Sequence, residues 1–249
     1  KDAKPIKPFD LKKYSNTELI MELANPNKWF RQTAQRLLAD RRDPKITPTL
    51  KGLVKANRDQ LALEAFWAIN HSGGFTPEYA HETLKHPHPY VRFWTIRLLG
   101  DSHLMNADLR AQLTALAGSE GNAEVRSCLA ASCKRWPAKD SFPILAQLIR
   151  REEDVNDKHI PLLLWWALED KSTSDLTELV KLLRDQELWK TPMMQQHLLP
   201  RIAQRYGADP IGPNLAMAGA LFSLAPTAAD KDRLVNGLEA GLKGGSAEE

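Results

Sequence analysis

The feature that most restricts what this chain can become is a motif that returns along it. Its clearest copy is His86-Pro87-His88-Pro89-Tyr90-Val91-Arg92-Phe93-Trp94-Thr95-Ile96-Arg97-Leu98-Leu99-Gly100-Asp101. Shifted back by 92 − 31 = 61 positions, Pro87, Arg92, Arg97, Leu98, Leu99 and Asp101 fall on Pro26, Arg31, Arg36, Leu37, Leu38 and Asp40. Shifted forward by 126 − 92 = 34 positions, Val91-Arg92 falls on Val125-Arg126. About half the backward shift reaches Leu61-Ala62-Leu63-Glu64-Ala65-Phe66-Trp67-Ala68-Ile69. A unit of roughly 30–35 residues is too short for a domain and suits one helix pair per repeat.

The local signals agree with helix pairs. Ser15-Asn16-Thr17-Glu18 reads as a capping box, and Asn25-Pro26-Asn27 as the turn before a second helix with Phe30, Ala34, Leu37 and Leu38 on one stripe. Thr47-Pro48 and Thr76-Pro77 each read as an N-cap followed by proline at the first helical position. Further pairs are expected over 106–118 with 122–136, and over 139–151 with 157–170. Ser172-Thr173-Ser174-Asp175 then opens a pair whose second helix covers 192–206. Asp209-Pro210-Ile211-Gly212-Pro213 is the strongest break, followed by helices over 214–224 and 227–242. No segment alternates long enough to make a strand.

The expected fold is therefore all-α: an α-α superhelix, or solenoid, of about six to seven helical hairpins. Residues 1–10 are expected to form an extended lead-in, 11–243 the repeat domain with a weaker pattern after 207, and 244–249 a disordered tail. The chain opens at Lys1 without a Met or a signal sequence and reads as a mature form or an excised fragment. No apolar run approaches the roughly 18 residues a membrane span needs. The net charge, 34 − 31 = +3, is diffuse and gives little reason to expect nucleic acid. Cys128 and Cys133 are too far apart along a helix to pair, and two cysteines fit either redox compartment.

The motif resembles HEAT repeats: proline at the inter-helix turn, an apolar-Arg pair, then an apolar stripe ending in Leu-Leu. Val91-Arg92 and Val125-Arg126 fit best and Phe30-Arg31 fits well, whereas Leu61-Ala62 lacks the arginine and Ile160-Pro161 departs from the pattern. A narrower likeness rests on Leu11-Lys12-Lys13-Tyr14-Ser15, Asn25-Pro26-Asn27-Lys28-Trp29-Phe30-Arg31, Ala65-Phe66-Trp67-Ala68 and His159-Ile160-Pro161-Leu162-Leu163-Leu164-Trp165-Trp166-Ala167-Leu168-Glu169. These stretches look like the HEAT segment of large membrane-bound dehydrogenase proteins with a PVC-type haem-binding domain. That family implies an exported, periplasmic protein whose HEAT array joins a β-propeller to a cytochrome c domain. No Cys-x-x-Cys-His occurs here, so haem attachment is not expected in this chain.

Candidate sites follow from the same residues. Arg31, Arg92 and Arg126 recur at one repeat position, either as a basic ladder for an acidic partner or as struts between consecutive repeats, the latter being the preferred reading. Among the tryptophans, Trp29 and Trp189 lie near turns beside lysines and are the pair expected at the surface, while Trp165-Trp166 read as core. His81, Glu82, His86 and His88 have metal-like density but are split by Pro87, so no metal site, cofactor or catalytic residue is expected. The function expected is a non-catalytic scaffold whose partners are proteins, either flanking domains or separate chains. The alternatives are a DNA-binding enzyme of the HEAT-like alkylpurine DNA glycosylase type and a free-standing peptide-binding adaptor.

Overall fold

The computed structural model describes residues 9–245. Of the lead-in expected at 1–10 and the tail expected at 244–249, residues 1–8 and 246–249 lie outside them. The described residues form fifteen α-helices and no strand. They are α1 (Asn16–Glu22), α2 (Lys28–Arg41), α3 (Thr47–Ala56), α4 (Gln60–His71), α5 (Pro77–Thr83), α6 (Pro89–Asp101), α7 (Ala107–Ser119) and α8 (Ala123–Cys133). Then follow α9 (Ala138–Ile149), α10 (Ile160–Glu169), α11 (Leu176–Leu183), α12 (Gln186–Trp189), α13 (Leu199–Gly207), α14 (Gly212–Leu224) and α15 (Ala228–Gly245). None is long and apolar enough to cross a membrane.

Short polar side chains set where the helices start. Ser15 and Glu18 close the capping box reciprocally, Ser15 N donating to Glu18 Oε2 at 2.7 Å and Glu18 N to Ser15 Oγ at 3.3 Å. Asn27, Asp59, Asn122 and Asp157 each accept backbone N–H bonds at the head of α2, α4, α8 and α10. In α6 a histidine takes this role, His88 Nδ1 accepting Tyr90 N at 3.2 Å. Thr76 caps α5 as expected. Thr47 does not cap α3: a 3₁₀ turn, Pro44–Ile46, runs straight into the helix and leaves Thr47 in helical geometry, with Asp43 capping the turn instead.

The chain divides into two compact units, the first ending at Arg92 and the second beginning at Phe93. In the first, α1 packs on α2, and α2 and α3 both pack on α4. Its core is built on Leu19, Leu38, Leu50, Phe66 and Ile69, all fully buried. In the second, helices stack in two runs, α7–α9–α11–α14 and α8–α10–α13–α15, tied by contacts such as α8 with α9 and α13 with α14. Leu113, Leu129, Leu145, Leu164, Leu179 and Ile202 fill the space between them.

Two stretches differ from the sequence expectation. The short α12 lies between α11 and the next long helix, and a π-helical segment, Met194–Leu198, precedes α13. There Leu199 N reaches Met194 O, five residues back, immediately before Pro200, which has no N–H to give. At the end of the chain, α15 continues to Gly245, past the expected boundary at 243, and part of its contact with α13 is made backbone to backbone at glycines. A Cβ on Gly241 would lie 2.3 Å from Gln204 O, one on Gly237 2.6 Å from Pro200 O, and one on Gly207 2.4 Å from Leu238 O. Backbones this close leave room for hydrogen alone.

Gly241→Ala is therefore expected to lower the unfolding free energy by about 1–3 kcal/mol through overpacking. Gly219→Ala, in open space on the exposed side of α14, is expected to raise it by about 0.5–1 kcal/mol. Thermal or urea unfolding of the two variants checks both signs.

Candidate functional site

The recurring arginines point inward along the backbone. Arg31 Nη1 donates to Asn25 O at 2.9 Å and Pro26 O at 3.0 Å, and Arg92 Nη1 donates to His86 O at 2.7 Å and Pro87 O at 3.1 Å. Arg126 Nη1 donates to Glu120 O at 3.0 Å. In each case the acceptors lie five or six residues upstream, in the turn that enters the helix. For Arg31 and Arg126 the other guanidinium edge reaches the next helix pair. Arg126 grips Asp154 with both Nε (2.6 Å) and Nη2 (2.5 Å), and both side chains are almost fully buried. Arg31 Nε meets Glu64 Oε1 at 2.8 Å, while Gln60 and Gln35 bond the same carboxylate, which is buried. Hydrogen bonding to Asp154 pushes the Arg126 pKa further up, so its charge is fixed.

The tryptophans sort differently from the sequence expectation. Trp29 is 53% exposed and meets Phe9 and Phe30 edge-on. Trp189, expected at the surface, is fully buried, its Nε1 donating to Leu183 O at 2.7 Å. Its charged neighbours are misleading in the sequence, because Lys190 and Glu187 pair outside while the four-residue α12 turns the indole inward. Conversely Trp166, expected in the core, is 45% exposed, with Leu162 one turn earlier on the same outer face of α10.

The histidine cluster is spoken for by backbone. His86 Nε2 lies 2.9 Å from Val54 O and its Nδ1 accepts His88 N at 3.1 Å, which fixes the neutral Nε2–H tautomer. Burial pushes its pKa down. With His88 Nδ1 capping α6, neither ring has the lone pair on that nitrogen to spare for a metal. The described residues contain no group of three or more His, Cys, Asp or Glu placed to hold a metal ion. Cys128 and Cys133 are free, buried thiols. Burial raises both pKa values, Cys128 to about 12.

One concave site takes in three members of the histidine cluster, His81, Glu82 and His86, beside residues the sequence motifs did not single out. Between α3 and α5, within the first unit, lies a groove of about 610 Å³, a volume typical of binding pockets. Lys51, Lys55 and Arg58 come from the α3 side, and His81, Glu82 and Lys85 from the α5 side. Val54 and the Tyr79 ring contribute apolar lining, with Lys51 Nζ 4.4 Å from the ring centroid. The available signal was Lys51 and Lys55 one turn apart opposite His81 and Lys85 one turn apart. On separate helices, such pairs read as ordinary solvated faces.

Comparison with protein families, with curated proteins and with solved structures returned no match in any of the three.

Removing one partner of the buried pair, as in Arg126→Ala or Asp154→Ala, is expected to cost about 3–5 kcal/mol of stability. Loss of the exposed Lys190–Glu187 pair should cost under about 1 kcal/mol. Urea titration separates the two. The thiols give a second check. A group whose folded pKa is raised stabilises the fold below its unfolded pKa and loses that contribution as pH rises through the folded value. Stability is therefore expected to fall between pH 9 and about 12 because of Cys128. Cys128→Ala should flatten that slope in pH-dependent melts, and neither native thiol should react with an aromatic disulfide reagent at about pH 8 until the chain unfolds.

Proposed function

We propose that the chain is a non-catalytic helical-repeat scaffold of the HEAT type, which holds or docks other protein domains. The observation that carries this reading is one strut used repeatedly. Arg31, Arg92 and Arg126 bond the entering turn in the same way, and Arg31 and Arg126 continue to a carboxylate of the following helix pair. A recurring inter-repeat bond is what a stack of nearest-neighbour units requires. The two runs of helices in the second unit support it, since each long helix packs on a counterpart in the next pair.

The likeness to the HEAT segment of PVC-type haem-binding proteins gives the scaffold a specific role, that of joining a dehydrogenase-like β-propeller to a cytochrome c domain in an exported protein. The open reading frame that encodes the chain tests this. A propeller segment upstream and a Cys-x-x-Cys-His segment downstream are the expected result. A frame with neither removes the joining role. Turnover of a sugar or polyol by the isolated chain would remove the non-catalytic reading.

A further inference from the structure

The groove between α3 and α5 combines four properties. First, Lys51, Lys55, Arg58 and Lys85 line it and none of them enters a salt bridge among the described residues. Arg58 Nη1 instead donates to Lys55 O and Asn57 O, anchoring that cation at the end of α3. Second, Tyr79 is 2% exposed and its hydroxyl is buried without a hydrogen-bond partner, on a residue that lines the groove. An orphaned buried hydroxyl is costly, and it marks this wall as less completely satisfied than the rest of the unit. Third, no atom lies within 4 Å of where a Cβ on Gly52 would sit, which keeps that part of the wall open. Fourth, the cations are strung out along two facing walls. Lys51 to Lys55 alone covers about 6 Å at helical rise, and Arg58 lies beyond the end of α3.

We propose that this groove docks an acidic peptide segment of a partner protein. Two extended residues cover about the same 6 Å as Lys51 to Lys55, with alternate side chains facing opposite walls, so spaced carboxylates match spaced cations. A compact phosphate would need donors converging on one point instead. An apolar side chain of the peptide would rest on Pro87 and on the methylene stems of Lys55 and Lys85. The proposal rests on the scaffold reading only in taking the partner to be a protein.

The test uses the full chain and a fluorescein-labelled pentapeptide library, each member carrying four Asp or Glu residues and one Leu, Phe or Tyr, read by anisotropy at low ionic strength. The expected result is saturable binding that weakens with salt, falls about tenfold or more in the double variant Lys51→Gln/Lys55→Gln, and stays within about twofold in Tyr79→Phe, whose deleted hydroxyl is out of a peptide's reach. Both variants should melt within a few degrees of the parent, since Tyr79→Phe deletes a hydroxyl with no partner. Absence of saturable binding by every peptide overturns the proposal. So does tighter competition by pyrophosphate or a DNA duplex, which would make this a phosphate site. Binding that survives the double variant Lys51→Gln/Lys55→Gln sinks the groove alone and leaves the scaffold reading standing.

Discussion

A buried arginine that is satisfied on both edges is the constraint on which much of this architecture depends. Burying a guanidinium costs several kcal/mol unless its donors are met, and Arg126 meets that requirement with one turn carbonyl and one bidentate carboxylate. The turn before α8 cannot shift without breaking the first bond. The Glu152–Asp154 turn cannot shift without breaking the second. The pair thus fixes the spacing of successive helix hairpins more narrowly than apolar contact could, since leucines tolerate sliding and a forked ion pair does not. Lysine at this position would supply charge without the fork.

The same logic organises the turns. His86 ties its own turn to the end of α3 through Val54 O, and His88 takes the place of an Asx cap on α6. Lys171, also buried, reaches Lys134 O and Asp170. Polar side chains inside this protein mostly serve backbone carbonyls and amides that helix ends leave over. The groove beside α5 departs from that pattern: among the described residues its lysines form no salt bridge, and one phenol has no hydrogen bond.

Much of the helix order was legible because caps, prolines and apolar stripes are local properties. The positions of α2, α4, α8 and α10 follow from Asn27, Asp59, Asn122 and Asp157 in that way. Thr47 shows the limit, since whether a threonine before proline caps a helix depends on the conformation of the residues ahead of it. The fates of Trp166 and Trp189 were not legible, because a flanking charge or an apolar run does not say which side of a helix faces its neighbour. The groove was invisible for a related reason. Its walls come from helices separated in sequence, and the orphaned state of the Tyr79 hydroxyl exists only once its surroundings are in place.

The glycine seam between α13 and α15 has a different kind of consequence. Gly207, Gly237 and Gly241 let the last helix approach by shape, through backbone surfaces in contact beside the Ala203 methyl and without a titratable group or a long side chain among them. Such a joint has no rotamers to freeze and no charge to screen, so salt and pH have little purchase on it. Its vulnerability is geometric. Any residue drift at these three positions adds volume where none exists, which makes them the least negotiable letters in a stretch where the repeat motif itself has faded.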